Sequence, residues 1–417
     1  MEILQSLFLR IGDKLNPNKN PRASWIYALF PALISSIVLL TNFVDSKPTV
    51  GSIEIRHPSF KKLLHPNMEM EIITTGSIWT EGPLWIEDEK ASSGYLLYSD
   101  TRMNKIYKWE EGKEFFNRFF PIKKTLHTEM SGCIDKEYCD KMREPGSNGL
   151  VRMNGALMPI GEQKNVDLLA CQHGDRAITL IKENGERILI ATHYQGKRLN
   201  SPNDICWSIE GNLYFTDPPY GLLNKNGEEI ERELNYSGVY MILKEDIKQS
   251  IITKIATNNV ILLDNEMSLP NGLAFSPDFK HLYVSNSDPK NAYWKIFDVS
   301  QNNGNINNGK LSNPRIFYDA NPLIEIEKQR HGSEKRVKNP DGLRIDFYGN
   351  IFGTGPGGVF VFNPFGEIIG KFNFEKPCSN LCFGGDGFLY FTVSDTVVRI
   401  RINTKPTSYM SSHFLER

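Results

Sequence analysis

Short apolar runs recur along this chain, and each is opened by a polar residue. Six phrases align in one register: "TEGPLWI" at Glu81, "GSNGLVR" at Asn148, "SPNDICW" at Asn203, "LPNGLAF" at Asn271, "NPDGLRI" at Asp341 and "CSNLCFG" at Asn380. In most of them a small residue follows the polar one. A turn and a second run come next: "YLLYSD", "LLACQHG", "NLYFTD", "HLYVSN", "NIFGTG" and "FLYFTV". A third run follows: "KIYKW", "RAITLI", "GVYMI", "YWKIFDV", "GVFVF" and "VVRIRI". Aromatic and β-branched residues dominate these runs, and they fit the pleated surface of a strand. Fourth strands are predicted at "KEFFNRFF", "ERILIATH", "ITKIATN", "PRIFYDA" and "EIIGKFNF". The sixth unit ends before a fourth strand, and "EMEIITTGSIW", ahead of Glu81, is the candidate to complete it. Such a closure removes both exposed sheet edges. The pattern predicts an all-β fold, a six-bladed β-propeller over residues 68–403. The uneven spacing of the six phrases places insertions in surface loops. A β-sandwich with a second domain is the rival, and the sixfold phrase disfavours it.

One segment stands outside this pattern. Trp25–Val44 carries no charged residue, and a stretch of about twenty apolar residues spans a bilayer as a helix. Arg10, Lys14, Lys19 and Arg22 precede it, against Glu2 and Asp13. Positive charge stays on the cytoplasmic side, which would place the rest of the chain in a lumen or outside the cell. The expected order is therefore a basic segment 1–24, a transmembrane or signal-anchor helix 25–44, a linker 45–67, the propeller 68–403 and a tail 404–417. A buried helix or a cleaved signal peptide are the other readings of residues 25–44. No strong helical period appears beyond this segment. The polar stretch 224–236 and the charged stretch 325–338 read as solvated loops.

Composition changes this picture little. The chain has 417 residues, 40% hydrophobic and 23% charged, which is ordinary for a globular protein. Its net charge of -1 gives no basic field for nucleic acid. Among the six cysteines, Cys133 and Cys139 flank a short polar loop and could form a disulfide in an oxidising compartment. Cys171, Cys206 and Cys382 lie in apolar surroundings and read as small core residues. No zinc-type cysteine spacing occurs. Asn235 opens a glycosylation sequon, relevant only to a lumenal domain.

In a propeller the residue entering each innermost strand lies at one mouth of the central channel. Glu81, Asn148, Asn203, Asn271, Asp341 and Asn380 therefore converge there. Carboxylate and amide oxygens around one point form an all-oxygen cage, the donor set of Ca²⁺, with Mg²⁺ demanding a tighter octahedron. Turn chemistry alone is the competing explanation, since Asn, Asp and Gly all populate turns. His173 ends a second strand near the same mouth and suits proton transfer or substrate contact. A structural histidine is the alternative. Asn148 is expected to contact substrate. Asp204 either orients a ligand or belongs to a turn, and Tyr220 in "FTDPPYG" lies on the pocket rim. No Gly-x-Ser-x-Gly elbow of a serine hydrolase occurs. "GTGPGG" at 353–358 reads as a hairpin turn.

The motifs "EGPLW", "EPGSNGL", "ACQHGDR", "KRLNSPNDI", "NLYFTDPPYGL", "LPNGLAFSPD" and "NPDGLRID" together resemble the gluconolactonase branch of the SMP-30/gluconolactonase/luciferin-regenerating enzyme family. The resemblance covers roughly residues 70–403. It implies a six-bladed propeller, a divalent cation near the axis, and hydrolysis of lactones and related esters. Carried over by motif, the metal ligands are Glu81, Asn203, Asn271 and Asp341, and Asp341 doubles as general base. The ion is expected to be Ca²⁺, with Zn²⁺, Mn²⁺ or Mg²⁺ as alternatives. An arginine that the mammalian branch places two residues before its Asn-Asp pair is here Ser201, with Arg198 further upstream. Two other classes stay open: a binding or scaffold propeller without catalysis, and a paraoxonase-like or strictosidine-synthase-like enzyme, the last disfavoured by the four ligands.

Overall fold

The computed structural model describes residues 48–87, 94–111, 124–159, 166–230, 232–300, 309–331 and 337–406. The expected membrane segment 25–44 and the basic segment 1–24 lie outside these residues, as does 407–417. Among the described residues no helix is long and apolar enough to cross a membrane.

Thr49–Arg417 forms one compact unit, and six of its sheets are the blades of a β-propeller, with a two-stranded ribbon, His193–Tyr194 with Lys197–Arg198, beside them. The innermost strands are β1 (Thr80–Ile86), β2 (Ser147–Arg152), β3 (Ile205–Trp207), β4 (Pro270–Phe275), β5 (Leu343–Ile345) and β6 (Cys378–Phe383). Each carries one of the six phrases. Second strands such as Leu213–Asp217 and Phe388–Val393 are buried along their whole length, because blades pack against both of their faces. Glu71–Thr74 pairs with Thr396–Arg401 and supplies the outer strand of the sixth blade, closing the ring as expected.

Two outer strands differ from expectation. The fourth strand of the first blade lies at Lys124–Glu129, beyond "KEFFNRFF". That of the third lies at Val260–Asp264, beyond "ITKIATN". Outer strands are half exposed, so their apolar signal is weak and neighbouring runs compete for the same place.

Helices also form where no helical period was read. The stretch 45–67 is not a bare linker: Ser52–Ile55 adds a fifth strand to the fifth blade. Helix α1 (Pro58–Leu63) then buries Phe60 and Leu63. Phe60 packs among Phe352, Phe372 and Leu381, and Gly370 makes room for it: a Cβ there would lie 2.0 Å from the Phe60 ring. Pro58 opens this helix, where its missing N–H costs nothing. Helix α2 (Lys136–Lys141) fills the "CIDKEYC" loop, capped by Asp135 and tied by the Cys133–Cys139 disulfide. Helix α3 (Lys244–Thr253) and helix α4 (Asn321–His331) are the other α-helices among the described residues.

Candidate metal centre

Hydrogen bonds to backbone carbonyls at or next to the six anchors form a closed ring. Ser99 Oγ donates to the Asn148 carbonyl at 2.8 Å. The Gly149 N–H donates to the Asn203 carbonyl at 2.7 Å. Thr216 Oγ1 donates to the Asn271 carbonyl at 2.7 Å, and the Gly272 N–H to that of Asp341 at 3.2 Å. The Gly342 N–H donates to the Ser379 carbonyl at 2.8 Å, and Ser379 Oγ to that of Thr80 at 2.6 Å. Each link joins one blade to the next.

This ring explains the small residue in the repeated phrase. A Cβ on Gly82 would lie 1.9 Å from the Asn148 carbonyl oxygen, and one on Gly342 would lie 2.3 Å from the Asn380 side chain. Strand pairing also slips at the anchors, between Glu81 and Leu84, Ser147 and Leu150, Pro270 and Leu273, and Cys378 and Asn380. Such bulges turn a side chain out of the pleat, here at the start of four of the six inner strands.

Charge is concentrated where the ring closes. Glu81 and Asp341 are 4% and 2% exposed. Burial raises the Glu81 carboxyl well above its ordinary range, and the neighbouring Asp341 adds to the rise. Burial likewise raises Asp341, with Lys338 opposing. The Lys338 ammonium lies 2.8 Å from Asp341 Oδ2. Asp204 acts on both carboxylates, but its own charge is matched by Arg344, whose Nη1 donates to Asp204 Oδ2 at 3.0 Å. That pair reaches from the third blade to the fifth. Tyr220 lies within reach of the Ser287 and Asn271 side chains, and burial, then Asp341, push its phenol up to about 12. Asn271 Nδ2 donates to Ser287 Oγ at 3.0 Å, leaving its amide oxygen for another partner.

His173 is wholly buried beside this centre. Its Nδ1–H donates to the Glu144 carbonyl at 3.2 Å, so Nε2 is the acceptor for Asn148 Nδ2 at 3.4 Å. Both ring nitrogens are engaged. The geometry therefore supports a histidine that fixes Asn148, rather than a free base. Asn148 Oδ1 is buried without a hydrogen-bond partner.

Burial holds the imidazole below its ordinary 6.5, so it is neutral at pH 7. A group whose folded pKa is depressed toward neutrality loses stability as pH falls through the unfolded value, because the unfolded chain then binds the extra proton. Stability is expected to decline below about pH 6.5 by an increment that the His173→Gln variant lacks. Denaturation midpoints of both proteins across acid pH check this.

The family described as SMP-30/Gluconolactonase/LRE-like region matches residues 79–395, which contain every anchor. The chain belongs to this family. It is 33% identical to the gluconolactonase of Zymomonas mobilis over 362 residues, 85% of this chain and 87% of that one. Among solved structures, a gluconolactonase from Xanthomonas campestris matches with a TM-score of 0.63 at 24% identity, over 86% of this chain and 98% of that one. Regucalcin from Agrobacterium tumefaciens, a calcium-binding protein, matches with a TM-score of 0.52 at 15% identity, over 80% and 94% of the chains. The two structures share the fold.

For this SMP-30/gluconolactonase member, the structure brings Glu81, Asn271 and Asp341 to one mouth, with Asn148 and His173 at its side. Asn203 joins the ring through its backbone, and Asp204 turns to Arg344. Asn380 Oδ1 accepts the Leu381 N–H at 2.9 Å, so that anchor serves its own strand. Arg198 faces the Asp175 carbonyl at 2.9 Å, away from the centre. Ser201 Oγ donates to the Pro218 carbonyl and accepts the Gly221 N–H. Sequence reasoning gave no weight to Lys338, Ser287, Glu144 or Trp79, and too little to Tyr220. Lys338 ends the charged stretch that had read as a solvated loop.

The pocket's own atoms fit a hard cation. Two buried carboxylates lie within electrostatic reach of each other, and the buried Asn148 Oδ1 lacks a hydrogen-bond partner. Among the described residues no three His, Cys, Asp or Glu side chains form a metal cluster. Two of the four expected ligands are amides, so the donor set is oxygen rather than the nitrogen and sulfur that zinc prefers.

Proposed function

We propose that this protein hydrolyses lactones, with Glu81, Asn203, Asn271 and Asp341 holding a divalent cation, Ca²⁺ by its donor chemistry. The observation that carries the reading is the pair of buried carboxylates at the ring of anchors, in a chain 33% identical to a gluconolactonase over most of its length. When bound, the ion polarises a carbonyl oxygen and offsets negative charge developing there.

The chain's own residues supply the rest. Asp341 takes a proton from the attacking water, whose oxygen bonds the carbonyl carbon. The ring C–O bond then breaks, and the ring oxygen regains a proton to give the open hydroxy acid. Asn148, fixed by His173, presents its free amide oxygen to substrate hydroxyls or to the water. Tyr220 and Ser287 orient Asn271.

Chelation tests the reading. Treatment with EDTA is expected to abolish hydrolysis of simple aldonolactones, and added Ca²⁺ to restore it. Hydrolysis that persists after exhaustive chelation would count against a metal-dependent enzyme; its absence under all metals would favour a binding propeller.

The reading includes a location. Residues 25–44 anchor the protein to a membrane in a single pass, with the propeller lumenal or outside. The uncharged stretch, the Cys133–Cys139 disulfide and the exposed Asn235 sequon support this.

A further inference from the structure

Lys338 stands where nothing in the chemistry described above requires a lysine. Its Nζ lies 2.8 Å from Asp341 Oδ2. The same ammonium rests over the Trp79 ring, 4.9 Å from its centroid. Glu81 and Tyr220 also act on it electrostatically. An indole face and the Asp341 carboxylate thus hold the ammonium directly, and Glu81 and Tyr220 lie within its electrostatic reach.

The accessibility of the groups gives this arrangement a direction. The Asp341 side chain is 3% exposed and that of Lys338 is 27% exposed. The lysine side chain therefore lies nearer solvent than the carboxylate it pairs with. Two further facts set the charge. Asp204 is already neutralised by Arg344, so it demands no cation from the mouth. Glu81 and Asp341 together carry two negative charges when both are ionised, and Lys338 supplies one positive charge. One unit stays uncompensated while the lysine holds the site, and a divalent ion would supply both.

We propose that Lys338 is a tethered cation that competes with the divalent ion for Asp341. It holds the two carboxylates together when the ion is absent and withdraws toward solvent when the ion binds. This rests on the metal reading above and adds regulation to it: ion affinity is set lower than the four oxygen ligands alone would give. The site would then fill only where the free divalent ion is abundant, as for the weaker class of calcium modules.

The test is calorimetric titration of the metal-free protein with Ca²⁺ alone, using wild type, Lys338→Met, Lys338→Gln and Asp341→Asn. Both lysine variants are expected to bind Ca²⁺ at least tenfold more tightly than wild type. In EDTA both should melt below wild type, because Glu81 and Asp341 then lie within electrostatic reach of each other without a countercharge. Asp341→Asn should lose binding. If Asp341→Asn loses binding while the lysine variants bind no tighter than wild type, the tethered cation is overturned and the metal site stands. If Asp341→Asn binds as wild type does, or if no variant binds at all, the metal site at this mouth is overturned and Lys338's role falls with it.

Discussion

Asp341→Asn is expected to lower turnover of a simple aldonolactone by about 10³-fold or more, since both a proton acceptor and a metal ligand are lost. The exchange keeps size and hydrogen-bonding capacity, so the fold should survive. Asp341 is nearly inaccessible, and its backbone carbonyl also receives the Gly272 N–H and Ser285 Oγ, contacts that the substitution leaves alone. The effect should therefore fall on kcat rather than on thermal stability. Initial rates with saturating metal and substrate decide the matter, beside a melting curve for each protein. Wild-type turnover in the variant would remove Asp341 from the chemistry.

The second large effect concerns stability. Arg344→Met is expected to destabilise the propeller by about 3–5 kcal/mol, because Asp204 would be left as an unpaired buried charge. Arg344 and Asp204 side chains are 6% and 1% exposed, so solvent cannot rescue either. Burial disfavours the guanidinium, and Asp204 more than compensates. A second change, Asp204→Asn, should recover much of the loss, since it removes the orphaned charge. Denaturant titrations of the two single variants and the double variant measure this coupling. Additive losses would show that the pair does not act as a unit.

The parts of the fold that were legible in the sequence share one cause. Every blade must bring its backbone to the axis, and at four of the six anchors the close approach there admits little more than glycine, as at Gly82 and Gly342. Asp204 and Leu381 follow the other two, and the repeat still leaves a phrase that can be read. Outer strands obey no such constraint. Lys124–Glu129 and Val260–Asp264 are placed by packing against the strand inside them, so nearby apolar runs misled. The same holds for Phe60, whose burial depends on a vacancy at Gly370, more than three hundred positions away along the chain.

Glu81, Asn271 and Asp341 were legible for the reason that the anchors were. Lys338 was not. A lysine in a charged run carries no periodic signal, and its function depends on Trp79 and Tyr220 arriving from other blades. Asp204 stayed ambiguous for a like reason: its partner Arg344 is 140 residues away. His173 lies against Asn148, and its engagement at both nitrogens depends on the Glu144 carbonyl and on Asn148, neither of which its motif shows.

The most direct test of an oxygen cage on the propeller axis is a crystal structure of the protein soaked in Ca²⁺ or its anomalous-scattering surrogate Mn²⁺. A single ion coordinated by side-chain oxygens of Glu81, Asn203, Asn271 and Asp341, at about 2.3–2.6 Å for Ca²⁺, is the expected result. An empty mouth at saturating metal, or an ion bound elsewhere, would contradict it.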